Sequence, residues 1–456
     1  MAPILSALAT GIGLLTDKYM LGATNFVEHY ALDFHATHAQ KDFVKAAMYA
    51  GAMLGMIVMG PASDFFGRRL GLILCSFITL LGALLSALAW SENALIAARV
   101  ITGIGMGGEY PLASSHSAES SDKTSDGARN VALLYLFGSG FGQALCPFVT
   151  YLMDVAGVPH KLLWRWIFGV GVILSALGLA LRYFAIQDSQ KFVESKQAEQ
   201  KHHASTWKIL APYWRALLGT AGCWFLFDIV EYGLKQNDAA IFSKNASATY
   251  TDSILQVLWS RLLVIPSLIF APWLLTKISS KRVQLVGFLG CALANLILAV
   301  AYEELQDLSG LFFAFYIAQL SFQSLPGVTT MAISAEIYPS MVRGTGAGIS
   351  AACGKLGATV GSYFFSELKN LGEIRAIFWT VFATSGLAML LTVLTTPYYN
   401  GDGLDEADAL ACDSKPGQAV KVLYAGPKNC DGTEPTKSAR YVSEDLADDA
   451  EENVMA

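Results

Sequence analysis

Residues Gly60 to Arg69 read GPASDFFGRR and stand between two apolar stretches, at about 43–63 and 70–90. Asp64 can cap a helix N-terminus and pair with Arg68 or Arg69, so the loop has the makings of a latch. Taken alone it is equally an ordinary basic turn between two membrane helices. Its weight comes from the number of spans around it. A helix needs about 20 apolar residues to cross a bilayer, and the chain offers about twelve such runs. They fall at roughly 4–27, 43–63, 70–90, 93–117, 130–153, 162–185, 209–242, 253–275, 283–302, 309–334, 345–366 and 376–396.

The composition agrees. Of 456 residues, 54% are hydrophobic and 15% charged, against about 25% charged in a soluble chain. Much of the surface therefore faces lipid. A net charge of -6 offers no basic face for nucleic acid. Cys75, Cys146, Cys223, Cys291 and Cys353 lie in apolar runs, where Cys acts as a small hydrophobe. Without CxxC or Cys/His spacing, no metal site is expected. Neither GxxxxGK[ST] nor a nucleophile–base constellation occurs, so an ATP-driven pump, an enzyme and a cofactor are all unexpected.

The polar stretch from Gln187 to Trp207 splits the runs into two sets of six. This predicts an all-α polytopic membrane protein of twelve helices. The expected parts are an N-terminal six-helix half at 1–186, a cytoplasmic central loop at 187–207, a C-terminal half at 208–396 and a disordered acidic tail at 397–456. With both termini cytoplasmic, most loop Lys and Arg residues fall inside, as the positive-inside rule asks. That orientation puts the Asn245 glycosylation sequon outside. Ser117-Ala118-Glu119 closes the fourth run with Arg129 beyond it, and Ser334-Ala335-Glu336 closes the tenth with Arg343 beyond it. Such matched positions indicate an internal repeat, as many transporters have.

Arg99 to Glu119 reads RVITGIGMGGEYPLASSHSAE. Its glycines at 103, 105, 107 and 108 admit a neighbouring backbone. Ten residues separate Glu109 from Arg99, about 15 Å along a helix, so Glu109 falls near the middle of the bilayer. An intramembrane carboxylate is costly and points to function; the alternative is a structural pair with a nearby cation. Trp224, Asp228 and Tyr232 recur every four residues and share one helical face. Lys355 is a lone cation in an apolar run and suits an anion. Glu231 and Lys235, at i and i+4, can simply pair.

The Gly60–Arg69 loop resembles the signature loop of the major facilitator superfamily. GGEYPL at 107–112 is similar to the GGDYPLS fingerprint of its phosphate:proton symporter family. AGCWFLFDIVEYGLKQND at 221–238 is similar to that family's seventh helix, and SAEIYPSMVRGTGAGISAACGKLGATVG at 334–361 to its eleventh-helix segment. The resemblance runs from residue 4 to about 396. It implies a substrate site at Tyr110, Trp224, Asp228, Tyr232 and Lys355. The family's fifth-helix glutamine falls on Ser139, with Gln143 one turn on as its stand-in. Proton coupling would fall to Asp17, Arg99, Glu109 and Asp228, with Asp17 and Arg99 as partners. Gating would fall to Asp64, Arg68, Arg69, Glu119, Arg129, Glu336 and Arg343.

Three positions depart from the family pattern. Met20 replaces a second first-helix aspartate, Ser139 the glutamine and Gly327 a tenth-helix asparagine. Small residues there would enlarge the pocket. GGEYP and GARN at 127–130 also look like glycerophosphodiester permeases. The expectation is a plasma-membrane symporter that imports phosphate with protons by alternating access. Glycerophosphodiester or other organic-anion transport, or a non-transporting nutrient sensor, are the alternatives.

Overall fold

The computed structural model describes residues 2–23, 34, 38–119, 126–188, 192–194, 206–242, 250–399, 401–412 and 415–425. Every regular element among them is helical. The N-terminal half holds α1 (Ala2–Ala23), α2 (His38–Phe66), α3 (Arg68–Ala87), α4 (Glu92–Glu119), α5 (Gly127–Val155) and α6 (His160–Ala185). The C-terminal half holds α7 (Trp214–Phe242), α8 in two pieces (Tyr250–Leu262 and Ile265–Leu275), α9 (Ser280–Val300), α10 (Ser309–Glu336), α11 (Arg343–Asn370) and α12 (Ile374–Thr395). Nine helices among the described residues are long and apolar enough to cross a bilayer. α4 and α11, crowded with Gly, Ser and charged residues, are not among the nine. They sit in the protein interior, where polar residues find partners instead of lipid.

The repeat is visible in the packing. α1 meets α5 and α6, as α7 meets α11 and α12; α3 meets α4 and α6, as α9 meets α10 and α12. The halves join where α2 packs on α11 and α5 on α8, which are equivalent pairs in the repeat. Glycines set how closely α2 and α11 approach: a Cβ on Gly60 would lie 2.6 Å from the Gly344 carbonyl oxygen, and one on Gly348 2.6 Å from that of Met56. Within the first half, a Cβ on Gly107 would lie 2.1 Å from the Ala52 carbonyl oxygen. Small residues let backbones meet where lipid supplies no hydrophobic drive between helices. Large apolar side chains such as Leu54, Ile173, Phe184 and Leu390 face outward.

α5 contains a π-helical turn, Leu136–Gly142, flanked by Tyr135 and Gln143. Such turns re-aim side chains and recur at functional sites.

The disorder expected after Thr396 does not extend over its first part. α13 (Gly401–Cys412) and α14 (Pro416–Ala425) are helical. Leu404, Ala407, Ala411, Ala419 and Leu423 pack with Ile333, Ile337 and Met341. Asp408 accepts hydrogen bonds from Ser340 N (2.8 Å) and Ser340 Oγ (2.6 Å). An alanine–leucine face thus finds an apolar surface that sequence composition does not reveal. The acidic end of the tail, Asn245 and most of the central loop lie outside the described residues.

Candidate functional site

The centre of the molecule is a cluster of charges and tyrosines drawn from both halves. α7 carries Asp228 and Tyr232 one turn apart, and α11 packs along α7. Lys355 of α11 donates to Asp228 Oδ2 (2.8 Å) and to the Tyr232 hydroxyl oxygen (2.8 Å). All three are at most 4% exposed. Trp224, one turn before Asp228, packs on Gly354, whose Cβ would fall 2.5 Å from the indole Cδ1. From the other half, α4 supplies Tyr110, whose ring centroid is 5.4 Å from Lys355 Nζ. The five residues named for the substrate on resemblance therefore converge, though three come from α7, one from α11 and one from α4.

Gln143 is set apart from them. Its Oε1 accepts from Lys235 Nζ (2.7 Å), and Lys235 also pairs with Glu231. These residues line a small cavity, about 20 Å³, together with Tyr135, Ser139 and Arg261. Nor does the glycine at 327 enlarge the centre. A Cβ there would lie 2.3 Å from the Tyr135 hydroxyl, so tyrosine fills the space that an asparagine would take.

A second cluster sits inside the N-terminal half. Glu109 pairs with Arg182 of α6 through both carboxylate oxygens, the Nη1–Oε2 distance being 2.8 Å. Arg182 also donates to Ser76 Oγ (2.6 Å) and to the Ala9 carbonyl (3.2 Å). The pair lies against Gly13 of α1, where no Cβ fits. Asp17, one turn on along the same face, is fully buried and its carboxylate accepts no hydrogen bond among the described residues. Arg99 is not its partner. The Arg99 guanidinium donates to the Met20 carbonyl (2.9 Å) and Met48 Sδ and stacks 5.0 Å from the Phe168 ring centroid. Residues 99 and 109 lie about 15 Å apart along α4, and it is the later one that meets Asp17's level. Arg182 stands near the end of its apolar run, where an arginine can equally reach the membrane interface, so the sequence did not single it out.

The third cluster closes one end of the bundle. Asp64 accepts from Gly344 N (3.0 Å), Thr345 N (2.7 Å) and Thr345 Oγ1 (2.6 Å), capping the N-terminus of α11 from α2. Arg68 donates to Asp64 (2.6 Å), Ser63 Oγ (2.9 Å), Glu119 (3.1 Å) and the Ser340 carbonyl (3.2 Å). Arg343 donates to Glu119 (3.2 Å) from the other half. Glu336, on α10, reaches the N-terminus of α5: the Ala128 backbone N–H and the Tyr399 hydroxyl donate to it. Each half thus offers a carboxylate to a helix N-terminus of the other. Two residues expected here are elsewhere. Arg129 is half exposed and only 4.0 Å from Asp126; the N-terminal turn of α5 aims it outward. Exposed Arg69 receives Asp188 on its backbone N–H (2.8 Å) and ties α3 to the segment after α6.

Two six-helix bundles, repeated in packing and joined around a buried polar centre, define a membrane transporter rather than an enzyme. The chain belongs to the Major Facilitator Superfamily, whose sequence pattern matches residues 7–236 and 239–427. It is 29% identical over 425 residues to glycerophosphoinositol permease 1 of Candida albicans, covering 89% of this chain and 80% of that protein. It is also 29% identical over 365 residues to the inorganic phosphate transporter PT2 of Toxoplasma gondii, covering 76% and 63%. The fold superposes on the proton:xylose symporter XylE with a TM-score of 0.77, 19% identity and coverage of 89% and 98%.

Proposed function

We propose that this chain is a proton-coupled symporter that imports inorganic phosphate by alternating access. The observation that carries the reading is Lys355, a buried cation held by Asp228 and Tyr232 and faced by Tyr110 from the other half. Relatives named for phosphate and glycerophosphoinositol transport support an anionic, phosphate-bearing cargo.

Coupling follows from competition for Lys355. An ionised Asp228 occupies the ammonium and repels an arriving anion. A proton on Asp228 frees Lys355 to donate charge-assisted hydrogen bonds to phosphate, roughly twice as strong as neutral ones. Substrate and proton then favour each other, and release of one favours release of the other. Asp17 is the second proton site in this reading. A buried ionised carboxylate without a partner is expensive, and Glu109 already engages Arg182. The Asp64–Arg68–Glu119–Arg343 cluster is the gate, which parts when the halves rock. The gated end faces the cytoplasm with both termini, and the plasma membrane is the site of uptake.

The permease relative favours one second reading, a glycerophosphodiester as cargo. Purified protein in proteoliposomes tests both, with labelled phosphate and labelled glycerophosphoinositol, with and without an inward proton gradient. Gradient-driven phosphate accumulation is expected. Accumulation of the diester alone transfers the reading to the diester, and binding without accumulation of either makes the chain a sensor.

A further inference from the structure

Lys18 lies beside Asp17 on α1 but faces the tyrosines of the centre. It is 3% exposed. Its Nζ is 5.3 Å from the Tyr110 ring centroid, 5.8 Å from that of Tyr135 and 5.8 Å from that of Tyr232. Among the described residues it makes no hydrogen bond and no ion pair. Three neighbouring cations each have a carboxylate partner. Lys355 has Asp228, Lys235 has Glu231, and Arg182 has Glu109. Asp17 does not pair with Lys18: neighbouring residues on a helix point about 100° apart, and neither carboxylate oxygen of Asp17 has a hydrogen-bond partner among the described residues.

Three aromatic faces attract an ammonium, but they do not replace an anion in a site closed to water. Lys355 shares two of those rings, standing 5.4 Å from the Tyr110 centroid and 4.1 Å from that of Tyr232. The two ammonium groups are thus at most about 10 Å apart, the sum of their distances to the Tyr232 centroid. Charge-assisted bonds are about 2.8 Å long, so one tetrahedral oxyanion bridges much of that gap. The like charges repel each other until it does.

We propose that Lys18 is the second anchoring cation of the substrate site, and that Lys18 and Lys355 together select a doubly charged phosphate group. This rests on the phosphate reading above and deepens it. With a proton on Asp228, two positive charges face the substrate. A phosphomonoester, with its second ionisation at about pH 6, and the dianion of inorganic phosphate carry two negative charges and answer both. A phosphodiester carries one and has only two unsubstituted oxygens to share between two lysines.

The test is equilibrium binding to the purified full-length protein. The ligands are inorganic phosphate, glycerol 3-phosphate and glycerophosphoinositol; the proteins are wild type, Lys18→Met and Lys18→Arg, each with a thermal melt. Lys18→Met is expected to weaken phosphate and glycerol 3-phosphate binding about ten- to hundredfold, the range for a hydrogen bond to a charged group. Diester binding should fall less, so the preference narrows. Lys18→Arg should retain the preference. Without ligand, Lys18→Met should melt no lower than wild type, because an unanswered buried charge has been removed. Unchanged phosphate affinity in Lys18→Met overturns the inference. So does equal loss of all three ligands together with a lower melt, which marks a packing role. A wild type that binds none of the three overturns the phosphate reading itself, a result distinct from either.

Discussion

The latch and the centre are both built from buried charges, and they differ in how completely those charges are answered. At the latch, Asp64 accepts from two backbone N–H groups, a hydroxyl and Arg68, while Glu119 is held by arginines from both halves. At the centre, Lys18 has only aromatic faces, and Asp17 accepts no hydrogen bond among the described residues. A saturated network holds one geometry, because removing any member strands the others. An unsaturated one leaves room for a partner that comes and goes. The latch suits holding a conformation, and the centre suits binding an ion and a proton.

The harshest way to break this contrast is Arg68→Ala. It leaves Asp64 without its cation and Glu119 with Arg343 alone, and breaking a buried pair costs about 3–5 kcal/mol. The melting temperature in detergent should fall by several degrees and uptake should drop to background. An unchanged melt would mean that the latch holds nothing. Next in size is Asp228→Asn, a mimic of the protonated acid. Phosphate binding and exchange should persist while accumulation driven by a pH gradient is lost. Accumulation at the wild-type level would leave Asp228 as only an acceptor that orders Lys355 and Tyr232.

Lys355→Ala against Tyr232→Phe sharpens the centre. Losing hydrogen bonds from a charged donor costs about 1.5–3 kcal/mol and losing a neutral one about 1. Phosphate affinity should therefore fall clearly further in Lys355→Ala, as isothermal titration can measure. Milder still is Asp64→Asn. It keeps one acceptor oxygen for the α11 N-terminus but loses the charge paired with Arg68, so uptake should slow and the melt should fall by less than in Arg68→Ala. The smallest effect belongs to Arg129→Ala. An exposed side chain 4.0 Å from Asp126 should change stability by no more than about 0.5 kcal/mol. A large loss of uptake there would put Arg129 in the gate after all.

Gly13 and Gly327 show how the same residue type serves the two inner clusters. A Cβ at Gly13 would collide with the Glu109–Arg182 pair, and one at Gly327 with the Tyr135 hydroxyl. The first glycine was unremarked in the sequence, and the second read there as added room. In each case the space belongs to a side chain from another helix.

Hydropathy and spacing along the chain determined the twelve helices, the two halves, the loop at 60–69 and the shared face of Trp224, Asp228 and Tyr232. These depend on near neighbours and on the thickness of a bilayer, which local sequence records directly. Which charges meet was decided only by tertiary structure. Asp64 and the Thr345 backbone are 281 residues apart in sequence. Arg182 stands with Glu109, because α6 packs along α1 and the turn of α4 at 109 faces it, while Arg99, expected beside Asp17, meets the Met20 carbonyl instead. Lys18 and Asp17 are adjacent in the chain yet serve different clusters. A helix separates neighbours by about 100°, and only the packing of α4, α5, α6 and α7 around α1 says what each direction meets.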